Sequence, residues 1–540
     1  MKLVVSHTEN TELQQAFLDL DIIKLLRLCA PDLTEETALK WALCYFESDA
    51  AELSARYQLF HDLSDTAAAE AAYAAVCTLR EELDKQKRSA DTFHEVLYTY
   101  RVLKAFLQLV EALDALTAGT LTSDRLKKLK VLLQDIRKDP VFAQIRSVAD
   151  QVPRTLPLSR HFYVGINTRE TGDATEIGVI RDDVETTESE PLLAQTAPSA
   201  SSTSLFPAMK YTRAGYGTHF EEYLLQHYEK HYHSEIMKVH KLLQSVRPLR
   251  TDELLELEDS LHYLVVGLKL KDAFTNAGYV LCLPDPSGEN LESEALMYPD
   301  LALHLAHMEG KAVTLPTASS TLITGANHSG KTSYLKTIGQ SLVLAQLGLK
   351  VPAVSFRFRP FRRFHTLFSS GEDSSMTVSR MGVEIQRLSN IMQQATADDL
   401  VLINEPMTST NPIEAVSICG DLMQRFLNSS ITHIVVTHLY DIYYLLKARL
   451  SEEEARHFIS LITISTFHEG EGMEHTYRLK ESAPLGNSYA METAKTFQIT
   501  LEDLLDDPAL MREASAYCRT EREENMYEGG AGHGLSDTRA

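Results

Sequence analysis

Residues 321–333 read TLITGANHSGKTS, and this stretch limits what the chain around it can be. Gly325-Ala326-Asn327-His328-Ser329-Gly330-Lys331-Thr332 fits G-x-x-x-x-G-K-[ST] without a gap. The residues before it, TLIT, predict a short buried strand. Those after it, KTSYLKTIGQSLVLAQLG, set Tyr334, Ile338, Leu342 and Ala345 along one side of a helix. Strand, glycine loop and helix in that order form a phosphate cradle. Glycines let the backbone wrap closely around an anion with its N–H groups inward, and the helix N-terminus adds partial positive charge at the same spot. In that arrangement Gly325 to Ser333 surround the phosphates, Lys331 neutralises the β- and γ-phosphates, and the Thr332 hydroxyl ligates Mg²⁺.

A second buried strand, DDLVLINEP, ends in Asn404 and Glu405. In nucleotide-hydrolysing domains of this kind the corresponding strand commonly ends in Asp–Glu: the Asp holds Mg²⁺, often through water, and the Glu orients or deprotonates the attacking water. Here the Glu is present and the Asp is Asn. An amide oxygen still accepts a hydrogen bond from a metal-bound water but brings no negative charge, so Thr332 and Asn404 are expected at the metal with weaker Mg²⁺ binding and slow turnover. A third strand, ITHIVVTHLYD, ends at Thr437-His438, where a histidine reaches a γ-phosphate. Glu405 and His438 are the candidate catalytic residues.

The chain has 540 residues, enough for two to four domains. It contains no run of 18 or more apolar residues, so no membrane span is expected, and its N-terminus turns polar within six residues, without the apolar core of a signal peptide. The six cysteines (Cys29, Cys44, Cys77, Cys282, Cys419, Cys518) are scattered with no CxxC pair, as in a reduced, cytoplasmic protein with neither a zinc site nor a disulfide framework. The formal net charge of −23 disfavours indiscriminate adhesion to nucleic acid, because Lys and Arg carry phosphate binding; any DNA role depends on local placement.

Residues 1–155 read as a helical core: RVLKAFLQLVEALDAL places Leu103, Phe106, Val110 and Leu113 on one stripe, ELQQAFLDLDIIKLLRLC behaves similarly, and TSDRLKKLKVLLQDIRK opens on a capping signal. Residues 156–210 combine a small β element with an acidic, then Ser/Pro-rich, flexible linker that buries too little to offset its ordering entropy. Helices resume over 211–290, strands and helices alternate over 291–515 as in an α/β domain with a mostly parallel sheet, and 516–540 read as a disordered tail.

Taken in order, these pieces resemble the MutS family of DNA mismatch-repair ATPases, from about Leu291 to Leu505. LESEALMYPDL resembles the strand and turn before the family's nucleotide site, with Tyr298 where the family has His. GANHSGKTSYLKTIGQSLVLAQLGLKVPA resembles the phosphate loop and its helix, INEPMTSTNPIEA the Asp-Glu-x-x-x-Gly-Thr-Ser element, and THLYDIYYL the Thr-His-Tyr-x-Glu-Leu element. In FRRFHTLFSSGEDSSMTVSRMGVEIQRLSNIMQQA, Ser374 or Ser375, followed by Met376 and Glu384, stand nearest the family's signature serine. The resemblance implies a P-loop, ABC-type α/β ATPase domain at the C-terminus, preceded by mostly α-helical core and lever helices. It implies ATP and Mg²⁺ as ligands, and a homodimer that closes around ATP between one subunit's phosphate loop and its partner's signature serine. It also implies that closure is coupled to clamping of double-stranded DNA, in mismatch repair or recombination. No room for an N-terminal mismatch-reading domain is expected, and no Phe-x-Glu wedge stands in a suitable β context near the start. The alternative is a nucleotide-switched scaffold with weak hydrolysis that binds protein partners rather than DNA.

Three smaller features read as structural. FRFRPFRRF (Phe356–Phe364) alternates as a half-exposed strand with outward arginines. His227 and His231, with His233 beside them, sit on a solvated helix face that lacks a third metal ligand. Trp41 packs in the N-terminal helical core.

Overall fold

Three strands, Ser320–Thr324, Leu400–Asn404 and Thr432–Val436, are buried at every position. Strands that bury both faces belong inside a parallel sheet covered by helices, and the computed structural model puts them there. It describes residues 2–8, 10–88, 92–155, 161–168, 174–183, 209–210, 232–305, 308–326, 329–368, 380–408, 410–468 and 472–484. The linker residues 184–208, the histidines His227 and His231, and the tail 516–540 lie outside them.

The three strands are the centre of a six-stranded sheet in the order Gly472–Glu481, Phe458–His468, Ser320–Thr324, Thr432–Val436, Leu400–Asn404, Phe364–Leu367. All neighbours are parallel except the final hairpin, which is antiparallel. Val436 pairs with Ile323 on one side and Asn404 on the other, and Ile462 pairs with Thr324. The carboxyl ends therefore come out level, at the edge where open α/β sheets hold ligands. The helix Pro412–Asn428 covers one face, packing Ala415, Cys419, Met423 and Phe426 on Leu322, Val401, Ile403 and Val435. Its start is set locally: Asn411 caps it, accepting from the Ile413 N–H at 2.9 Å, and Pro412 follows in the first turn. A smaller antiparallel sheet pairs Leu291–Leu296 with Lys311–Leu315 and with Ser355–Arg357.

Contacts divide the chain into two units, Met1–Ser6 with Ala55–Asp272, and His7–Ser54 with Ala273–Ala540. This differs from a single helical core over 1–155: residues 7–54 belong with the sheet. The stretch ELQQAFLDLDIIKLLRLC is not one helix but two, Gln14–Asp19 and Ile22–Cys29, broken at Asp21, whose φ is 55°. These helices explain a second departure from the sequence pattern. The helix Lys331–Gln346 is buried almost all round from Leu335 onward, not along one stripe, because the N-terminal segment covers its outer face. Gln340 Nε2 donates to Leu20 O at 2.8 Å, and Gln346 Nε2 donates to Glu47 O at 2.8 Å and Phe361 O at 2.6 Å. Buried amides satisfied in this way fix one register rather than add bulk stability. Trp41 is buried here, against Tyr45, in the helix Glu35–Tyr45.

The other unit is helical, with long helices Thr66–Lys87 and Thr92–Leu116, then Asp124–Lys138 and Pro140–Thr155, and Glu258–Asn276 closing it. Leu103, Phe106, Val110 and Leu113 are all fully buried, the core stripe their spacing predicts. Ser123 caps Asp124–Lys138. An antiparallel hairpin, His161–Thr168 with Ala174–Asp183, supplies the small β element. No described helix is long and apolar enough to cross a membrane.

The arginine-rich segment alternates as expected at Phe356, Arg357 and Phe358, but Arg363 turns inward. It donates to Asp399 at 2.9 and 3.3 Å, and Asp399, with no side-chain exposure, also meets His365 at 3.4 Å. Burial alone would raise the Asp399 carboxyl; hydrogen bonds from His365, Arg363 and Thr396 hold it well below the usual carboxylate range. Arg363→Ala leaves that charge without its main partner and is expected to destabilise this unit by about 3 kcal/mol in urea denaturation. The sign with pH follows: a carboxylate with a depressed folded-state pKa contributes stability that is present above about pH 4 and lost as pH falls toward the folded value. The acid-dependent part of the stability should therefore shrink in the variant.

Candidate functional site

The phosphate-type loop leaves the sheet at Thr324. Gly325 has φ 144°, and a Cβ there would lie 1.8 Å from Thr463 Oγ1, so both conformation and space require glycine. Gly330, at φ 89°, is the N-cap residue of Lys331–Gln346. Between them Ser329 Oγ donates to Ala326 O at 2.7 Å and accepts from Thr463 Oγ1 at 2.7 Å. Lys331 is buried; its Nζ donates to Gly325 O at 3.0 Å and Ala326 O at 2.7 Å and stands 4.0 Å from Glu405 Oε1. Burial lowers its pKa below the ordinary lysine value, and Glu405 opposes that shift. Asn327 and His328 lie outside the described residues.

The neighbouring strand brings its own pair. Thr332 Oγ1 donates to Asn404 Oδ1 at 2.8 Å. The next residue, Glu405, has φ 50°; its N–H donates to Val436 O at 2.8 Å, and its Oε1 lies 3.0 Å from His438 Nε2. Met407, at φ 59°, donates its N–H to Glu384 Oε1 at 2.6 Å. Two left-handed non-glycine residues this close cost on the order of 1–3 kcal/mol each and persist where surrounding bonds over-determine them, which is common at functional sites.

These groups open onto one cavity of about 1140 Å³. Tyr298, Ser329, Gly330, Lys331, Thr332, Ser333, Glu405 and His438 all line it, and Asn404 reaches it through Thr332. Its wall also carries Leu301, Leu305, Met308 and Val313, so apolar surface and convergent polar groups meet as small-molecule sites require. Burial, with the charges of Asp300 and Asp21, raises the Tyr298 phenol above its ordinary value. Ser374 and Ser375 lie outside the described residues. Sequence reasoning missed Thr463. The register finds it: Ile462 pairs with Thr324, so the following Thr463 faces Gly325. Among the described residues no cluster of three or more His, Cys, Asp or Glu could hold a metal.

Residues 321–505 match the family model described as MutS domain V, the span that contains the loop, Asn404, Glu405, His438 and Thr463. Through this domain, the chain is similar to the MutS family. Over 185 residues it is 28% identical to MutS protein homolog 4 of Homo sapiens, covering 34% of this chain and 20% of that protein. Endonuclease MutS2 of Thermus thermophilus is 28% identical over 192 residues (36% and 24%), and DNA mismatch repair protein MutS of Leuconostoc citreum is 28% identical over 173 residues (32% and 19%). The chain thus matches a quarter or less of the length of these relatives. The MutS likeness runs through the sheet and its loops, while the helices of His7–Ser54 that cover the loop helix fall outside the family match.

Proposed function

We propose that this chain is an ATP-binding and ATP-hydrolysing MutS-like protein acting on DNA, in mismatch repair or a recombination-related process, with a P-loop, ABC-type ATPase domain. The observation that carries the reading is the convergence, on one cavity, of the loop residues Ser329, Gly330, Lys331 and Thr332, the Thr332–Asn404 pair and the Glu405–His438 pair. Glu405 Oε1, next to His438 Nε2, is placed to accept a proton from an attacking water, the role such a carboxylate has in phosphoryl transfer. Lys331, already bonded to loop carbonyls, turns its charge to phosphate oxygens. Magnesium fits as a shared ligand: Thr332 Oγ1 would hold it directly and Asn404 Oδ1 through water, and it would neutralise phosphate oxygens. Asn404 contributes no charge, so metal binding is weak and turnover slow.

ATP-driven closure of a homodimer, coupled to clamping of duplex DNA, is the accompanying proposal. Asn404 favours a second reading, a nucleotide-switched scaffold that hydrolyses slowly and binds protein partners. ATP turnover measured with and without perfect, mismatched and branched duplexes, over a salt series, separates the two. Stimulation by DNA that weakens steeply as salt rises is expected; no binding to any duplex at ~50 mM salt leaves the scaffold reading in its place.

A further inference from the structure

The tripeptide Asp19-Leu20-Asp21 joins the helices Gln14–Asp19 and Ile22–Cys29; Leu20 and Asp21 touch the loop helix, and Asp19 touches the strand and helix behind the Glu405 turn. Asp21 pairs with Lys336 of the loop helix. Leu20 packs on Gly339, where an added Cβ would sit 2.5 Å from Leu20 Cδ2, and its carbonyl accepts from Gln340 Nε2 at 2.8 Å. Asp19 Oδ2 accepts from Thr366 Oγ1 at 2.7 Å and Arg387 Nη2 at 3.0 Å. Arg387 lies one turn from Glu384 on the helix Arg380–Gln394, and Glu384 holds the Met407 N–H at 2.6 Å, two residues past Glu405. The Asp19–Arg387 pair keeps only 12% and 26% side-chain exposure, so solvent and salt screen it less than a surface pair. Asp21 holds its left-handed backbone, which Asp tolerates better than most residues, because these contacts fix it.

We propose that the Asp19–Asp21 turn is a positioning element for the cavity: Asp21 sets the loop helix through Lys336, and Asp19 sets the Glu405 turn through Arg387 and Glu384. The functional part of this inference rests on reading the cavity as a nucleotide site. The turn acts through other residues and touches no ligand. Its physical content is that two segments distant in sequence, one carrying Lys331 and the other Glu405, share one support.

Asp19→Asn and Asp21→Asn keep size and backbone preference and remove the charge, and Arg387→Gln removes the Asp19 contact from its other side. In the full chain, amide hydrogen exchange should rise about tenfold or more over residues 380–408 for Asp19→Asn and Arg387→Gln, and over 331–346 for Asp21→Asn, with 92–155 unchanged. With ATP present, Asp19→Asn should lower turnover about tenfold while ATP affinity stays within about threefold, and Asp21→Asn should weaken affinity. Exchange unchanged in those segments, or accelerated uniformly throughout residues 7–54 and 273–484, overturns the proposal. If exchange responds as expected but the unmodified chain binds no ATP, the nucleotide reading falls and the mechanical link stands.

Discussion

A Glu405→Gln variant will bind ATP within about threefold of the unmodified chain and hydrolyse it at least about 100-fold more slowly, the share a positioned general base contributes. The argument is geometric. Glu405 lines the cavity together with Lys331 and Thr332, its Oε1 lies 3.0 Å from His438 Nε2, and its backbone is pinned by the bond to Val436 O. Glutamine keeps the shape and the contact but can neither accept a proton from water nor carry charge. Single-turnover hydrolysis beside equilibrium ATP binding separates the two effects. Turnover equal to that of the unmodified chain would remove Glu405 from the reaction.

The second large effect is on binding. Lys331→Ala should weaken ATP by at least about 30-fold, because truncating one partner of a buried charge pair costs 2–5 kcal/mol or more. Lys331 also donates to Gly325 O and Ala326 O, so the alanine variant leaves two loop carbonyls without their donor. Lys331→Met, which keeps the stem, is the companion control, and thermal melting of both reports any damage to the loop. Undiminished affinity in a folded Lys331→Met protein would falsify the site.

Much of the site was legible because its motifs are local. The spacing from Gly325 to Thr332 and the apolar run into Asn404-Glu405 each announce a strand end, and parallel strands that end level must bring such residues together. Thr332 and Asn404, 72 residues apart, meet for that reason. Three things were not legible. Thr463 carries no motif of its own; it matters because the register sets it beside a glycine. The break at Asp21 is hidden, since apolar spacing continues through it and nothing in the local sequence demands a left-handed residue there. The burial of Lys331–Gln346 on nearly every side depends on helices some 300 residues upstream, and periodicity reports faces, not what covers them.

That last contact has a consequence for biosynthesis. Glu47 leaves the ribosome 299 residues before Gln346, the side chain that takes its carbonyl, an interval of about 15–60 s at ordinary elongation rates. Throughout it, Leu20, whose side chain meets Gly339 in the finished protein, lacks the helix it packs on. Closing so long a loop slows assembly more than it weakens the product. The nascent chain therefore presents a greasy amphipathic hairpin for chaperones to hold until its late-made partner arrives.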